Sequence, residues 1–158
     1  MYNYSVYRLI FFLTAACFFP VSYCSDESHV NESGISWADS IESAYTLAEK
    51  TRRPILINFH SKDCPPCIRM KNEFFMLHKF GDFINKFELI PVTLDADRYP
   101  DEMEKFVKDY NVYGLPTLLL LDFNKKEIGR SEGFRSSSRT LMNLYGIMNE
   151  WKRLKEEL

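Results

Sequence analysis

Apolar residues in this chain recur with two periods, and the switches between them mark out eight elements. Trp37, Ile41, Ala44, Tyr45 and Ala48 fall at helical spacing behind Ser36, a candidate N-cap, so the pattern predicts a helix ending near Lys50. Thr51 to Pro54 breaks it. Ile55-Leu56-Ile57-Asn58-Phe59 is a nearly continuous apolar run rich in β-branched residues, the pattern of a buried parallel strand. An amphipathic helix is predicted from Pro65 to about His78, with Met70, Phe74 and Leu77 on one face, and Gly81 to Lys86 links it to a second strand, Glu88 to Leu94. Asp101 followed by Glu104 has the capping-box spacing and opens a helix carrying Met103, Phe106, Val107 and Tyr110.

Gly114-Leu115-Pro116 then interrupts the chain before a third strand, Thr117 to Leu121, and Asp122 to Lys125 turns it into a fourth, Glu127 to Glu132. After a serine-rich start, Leu141, Leu144, Tyr145, Met148, Trp151 and Leu154 form the buried stripe of a last helix. Alternation of helix and strand followed by a hairpin predicts an α/β fold: a mixed central sheet of about four strands flanked by helices in a three-layer sandwich.

The first 24 residues break this pattern. One early Arg8 precedes an uncharged run from Leu9 to Phe19, then Pro20 and the stretch Val21-Ser22-Tyr23-Cys24, which reads as a secretory signal peptide. The run of 11 residues is short of the ~20 a membrane-crossing helix needs. Cleavage after Cys24 is the first reading, and a lipid anchor through Cys24 is the alternative. The expected division is residues 1–24 as leader, 25–35 as a flexible lead-in and 36–158 as one domain. A net charge of −2, with basic residues scattered, leaves no footprint for nucleic acid.

The leader changes the meaning of the cysteines. Of four in the chain, Cys17 and Cys24 fall in the leader, so the domain keeps Cys64 and Cys67. A pair three residues apart closes almost no loop and restrains the unfolded chain little, so chemistry explains it better than stability does. Both lie in "SKDCPPCIRM", between a predicted strand and a predicted helix. With Cys64 as cap residue, Pro65 and Pro66 take the first two helical positions, where a missing N–H breaks no helical bond and the fixed φ suits the helix. They hold the two α-carbons at a disulfide-compatible separation of ~5 to 6 Å. The helix dipole favours a thiolate at this tip, which points to Cys64 as nucleophile and Cys67 as resolving thiol. The prolines also remove two N–H donors, leaving those of Cys67 and Ile68 for the thiolate. The bland alternative is half a zinc site completed by His60 and His78.

Strand, C-x-x-C at a helix tip and a downstream Gly114-Leu115-Pro116-Thr117 resemble the thioredoxin fold. More narrowly, "RRPILINFHSKDCPPCIRMKNEFF", "NVYGLPTLLLLDFNKKEIGRSEGF" and "SWADSIESAYTLAEK" are similar to the thioredoxin-like C-terminal domain of the bacterial transmembrane reductase DsbD and its stand-alone periplasmic relatives, over nearly all of residues 36 to 150. The resemblance implies a cis Leu115-Pro116 peptide beside the thiols, with the Leu115 backbone pairing, strand-like, with a bound polypeptide. It further implies an exported thiol:disulfide oxidoreductase, reductase or isomerase, of the bacterial envelope. Its redox-active disulfide would need no other cofactor or metal, its substrates would be proteins with cysteines, and a membrane thiol reductase would be its electron donor. No oligomeric state follows.

Two departures from that family matter. The buried acid that usually stands six residues before the first cysteine is Asn58 here, and a neutral amide cannot take the resolving thiol's proton, leaving water or Glu132 as substitutes. The usual aromatic before the first cysteine is Asp63, whose charge opposes a lowered Cys64 pKa, while Lys62 and His60 act in the other direction. The reading from a different class is a non-catalytic binding module whose cysteines only lock its tip. Asp95-Ala96-Asp97 with Asp101 hints at calcium, but Pro100 and Phe106 occupy positions where a calcium loop needs Gly and Glu.

Overall fold

A computed structural model of the chain describes residues 29, 30 and 34–157; the signal peptide read in residues 1–24, and the lipid anchor at Cys24, lie outside the described residues. In chain order the elements are β1 (His29–Val30), β2 (Ser36–Trp37), α1 (Ile41–Thr51), β3 (Ile55–His60), α2 (Pro65–Glu73), α3 (His78–Lys86), β4 (Ile90–Asp95), α4 (Pro100–Tyr110), β5 (Thr117–Leu121), β6 (Glu127–Glu132) and α5 (Ser137–Glu156). Four strands make one mixed sheet in the order β4-β3-β5-β6, with β3 parallel to β4 and the other pairs antiparallel. β1 and β2 pair antiparallel in a separate ribbon.

Strand alternation sorts the core into two layers. Ile55, Ile57, Phe59, Leu119 and Leu121 pack with Ile41, Ala44 and Ala48 of α1 and Phe106 of α4. Leu56, Leu118 and Leu120 pack on the other face with Met70 of α2, Phe80 and Phe83 of α3, and Leu144 and Met148 of α5. This is the predicted sandwich. β5 and β6 keep their predicted limits because their turn is local: Asp122 Oδ1 accepts from the Asn124 and Lys126 N–H groups, and Lys125 takes the left-handed φ of 66° that closes the hairpin.

The structure corrects the sequence reading at three places. Ser36 is no helix cap; it lies in β2, and α1 begins five residues later behind Ser40, whose hydroxyl accepts from the Ser43 N–H while Ser43 Oγ accepts from the Ser40 N–H. Trp37, at helical spacing from Ile41, instead meets Phe75 edge-on at 5.3 Å. The single helix expected to reach His78 is two: α2 stops at Glu73, and the supposed link Gly81–Lys86 is most of α3, whose Phe80, Phe83 and Ile84 are buried. A helix cap was not legible there because Leu77, at the N-cap, contributes no side-chain hydrogen bond. Finally, Asp101 does not cap α4; Pro100 takes the first helical turn behind Tyr99, and Asp101 and Glu102 sit within that turn, where the dipole favours acids.

Candidate active site at the tip of helix α2

β3 leaves the sheet at His60, whose carbonyl accepts the Ala96 N–H at 2.8 Å. The three-residue loop that follows is tied to the turn after β4: Asp97 Oδ2 accepts from the Ser61 hydroxyl at 2.8 Å and from the Lys62 N–H at 3.0 Å. These donors, the Lys62 N–H foremost and the Ser61 hydroxyl next, hold the Asp97 carboxyl below the usual aspartate range. A depressed carboxylate pKa means the anchor is in place above the ordinary aspartate pKa and is lost as the pH falls through the lowered value. Asp97→Ala is accordingly expected to speed hydrogen exchange of the Lys62 amide at neutral pH by roughly three- to tenfold, the range for a weak net hydrogen bond; an unchanged rate would show that the loop holds without it. Asp97 was missed as a loop anchor because its partners are 35 and 36 residues away.

Cys64 is the cap residue of α2, in extended backbone, with Pro65 and Pro66 opening the helix. Its Sγ is bonded to Cys67 Sγ, with the α-carbons 5.2 Å apart. Cys64 and Pro66 are partly buried, Pro65 and Asp63 are exposed, and Cys67 is buried on the inner stripe that it shares with Met70. The Cys67 N–H is shared between the Cys64 carbonyl at 3.0 Å and Cys64 Sγ at 3.3 Å. The Ile68 N–H, expected to point at the sulfur, donates to the Cys64 carbonyl at 3.1 Å instead, because the first helical hydrogen bond claims it. The tip can therefore offer a thiolate the dipole and the Cys67 N–H, set against the Asp63 charge.

Leu115-Pro116 is a cis peptide. It sits immediately before β5, whose Thr117 pairs with Phe59, so it lies at the end of the sheet from which β3 departs toward Cys64. Pro116 is buried and its carbonyl accepts the Gly133 N–H at 2.8 Å; the Thr117 hydroxyl donates to the Gly114 carbonyl at 2.8 Å. Leu115 is half-buried. On the far side of the loop, the Arg130 guanidinium donates to the Tyr110 and Asn111 carbonyls and pairs with Glu127, holding the end of α4 where the loop begins.

Asn58 is buried and its Oδ1 has no hydrogen-bond partner. Glu132, the acid considered as its substitute, is not near it: its side chain is 62% exposed and pairs with Arg130 at 3.6 Å, and its backbone pairs with Thr117 at the outer strand. Asn58 instead opens onto a cleft of about 600 Å³ beside the disulfide, shared with His60, Cys67, Ile68, Lys71 and Met76. His60 is thus brought to the site, while His78, paired with it in the zinc reading, begins α3. Among the described residues no group of three His, Cys, Asp or Glu side chains is placed to hold a metal ion. The cleft combines residues from β2, β3, β4 and α2 and was not visible in any one stretch of sequence.

Three comparisons bear on this arrangement. A family model described as a thioredoxin-like domain matches residues 41–144. Among solved structures, the fold is similar to a DsbH oxidoreductase (TM-score 0.59, 20% identity, covering 73% of this chain and 85% of that one). It is also similar to a thioredoxin from Thermus thermophilus (0.57, 23%, 68% and 82%) and to the oxidised DsbD C-terminal domain of Neisseria meningitidis (0.53, 13%, 64% and 86%). At these identities the likeness establishes the fold. The sequence matches no curated protein.

Proposed function

Since the chain belongs to the thioredoxin-like domain family, we propose that it is a thiol:disulfide oxidoreductase, a reductase or isomerase, acting on cysteines of other proteins through Cys64 and Cys67. The observation that carries this reading is the asymmetry of the pair: one cysteine partly exposed at a proline-opened helix tip, the other buried behind it, joined in a disulfide. In the reduced protein the Cys64 thiolate attacks a sulfur of a client disulfide. A new S–S bond forms, the old one breaks, and the departing client thiolate leaves with the electron pair and takes up a proton. The Cys67 thiol then gives up its proton and attacks Cys64 Sγ, releasing the client's second thiol. The client gains two electrons and two protons and the enzyme is left as the disulfide.

Leu115 supports docking in this reading, since it lies half-buried at the same sheet end and can present backbone groups to an extended client segment. The leader read in residues 1–24 supports export to the bacterial envelope, with a membrane thiol reductase resupplying electrons and no cofactor beyond the disulfide itself. Cys67→Ala, expressed in the native host, is expected to accumulate client proteins joined to Cys64 by disulfides, read as reducible bands on non-reducing gels. An empty trap at normal expression would sink the enzyme reading and favour the alternative, a thioredoxin-like binding module with a locked tip.

A further inference from the structure

Side chains alternate along β3, and Leu56 packs with Met70 and Phe74 beneath α2 while Ile55, Ile57 and Phe59 pack on the opposite face. Asn58 therefore faces α2, two residues nearer than Leu56 to the strand end from which the active loop leaves. On α2, Cys67 lies one turn nearer the helix tip than Met70, and both are buried. Strand and helix thus bring the same ends together, and Asn58 and Cys67 line one cleft. Asn58 is 5% exposed and Cys67 6%, and the Asn58 Oδ1 lacks a hydrogen-bond donor while the cysteines are bonded to each other. Its ladder neighbours are Leu118, which carries no side-chain donor, and Thr93, which lines the same cleft but makes no hydrogen bond to the Asn58 oxygen. A buried acceptor left without a donor is costly, and a disulfide sulfur has no hydrogen to give.

We infer that Asn58 Oδ1 is the acceptor for the Cys67 thiol in the reduced protein, so that Asn58 biases the Cys64–Cys67 pair toward the dithiol. The inference rests on the exchange chemistry proposed above. When two glutathione thiols reduce the pair, two electrons and two protons pass to the protein and glutathione disulfide is released; one of the new S–H bonds belongs to Cys67. That hydrogen satisfies the Asn58 oxygen, which the oxidised protein leaves unpaired. The reduced state alone gains the bond, so the equilibrium constant for reduction rises. Asn58 acts here as a positioning residue: it holds the thiol hydrogen and carries no proton away.

The test uses the full chain with Cys17→Ser and Cys24→Ser, equilibrated in mixtures of reduced and oxidised glutathione. Asn58→Leu keeps the shape and removes the acceptor; its equilibrium constant for reduction is expected to fall about tenfold, which corresponds to a potential about 30 mV lower. A constant unchanged within about twofold, or one that rises, overturns the inference while leaving the oxidoreductase reading intact, because both proteins still exchange. A parent protein that does not exchange with glutathione defeats both. A second measurement needs no core substitution: with Cys64→Ala added, which leaves no new acceptor beside Cys67, the S–H stretching band of Cys67, now the one thiol in the chain, should lie below that of a thiol in an apolar solvent. A band at the apolar-solvent position overturns the inference.

Discussion

Cys64→Ser should lose disulfide exchange with glutathione and with protein clients altogether, while folding as the native chain does. The hydroxyl that replaces the thiol can still accept the Cys67 N–H and cap α2, so the helix start survives. What disappears is the sulfur of the partly exposed Cys64. Cys67 remains, but at 6% exposure it offers an incoming sulfur far less access than the partly exposed Cys64. Stopped-flow or gel-based thiol exchange checks the loss, and circular dichroism checks the fold. Residual exchange near the native rate would mean that Cys67 is reachable, and the division of labour between the two sulfurs would fall with it.

The largest loss of stability is expected from Phe80→Ala. Phe80 is fully buried in α3, with ring centroids of Phe74 at 4.7 Å and Phe75 at 5.1 Å, and Trp37 and Phe83 further out at 6.4 Å. Truncating a buried Phe removes its transfer energy and leaves a cavity, about 3–5 kcal/mol in sum. In a chain of this size that is a drop in melting temperature of roughly 10 °C, read by thermal or urea unfolding. Because these rings tie α3 to α2 and to β2, the disulfide's helix should loosen with them. A cost under about 1 kcal/mol would show that the site can collapse around the gap.

This prediction falls on a helix that the apolar pattern contained but did not announce. Phe80, Phe83 and Ile84 have helical spacing, yet Gly81 and the absence of a polar cap before His78 made the stretch read as a link. The opposite error occurred at Trp37, whose spacing from Ile41 imitates a helix while its backbone pairs with His29 in the β ribbon. In both cases periodicity reported which side chains are buried and left open which element buries them. Where a local device reinforces the period the limits it governs were legible: both ends of the hairpin around the Asp122 turn between β5 and β6, and the start, though not the end, of α2 at its prolines.

The site divides in the same way. The two thiols, the prolines between them and the Asn at position 58 are contiguous or nearly so, and their chemistry depends on residue type and short spacing, which the sequence states directly. The carboxylate that anchors the active loop, the exposure of Glu132 at the outer strand and the unpaired oxygen of Asn58 facing the cleft behind Cys67 are properties of segments distant along the chain. A hydrogen-bond partner or its lack is settled when strands pair in register and a helix packs across them. The chain by itself determined which groups can react; the packed sheet and helices decided which of them meet, and in what surroundings, because burial and pairing exist once distant residues share the same space.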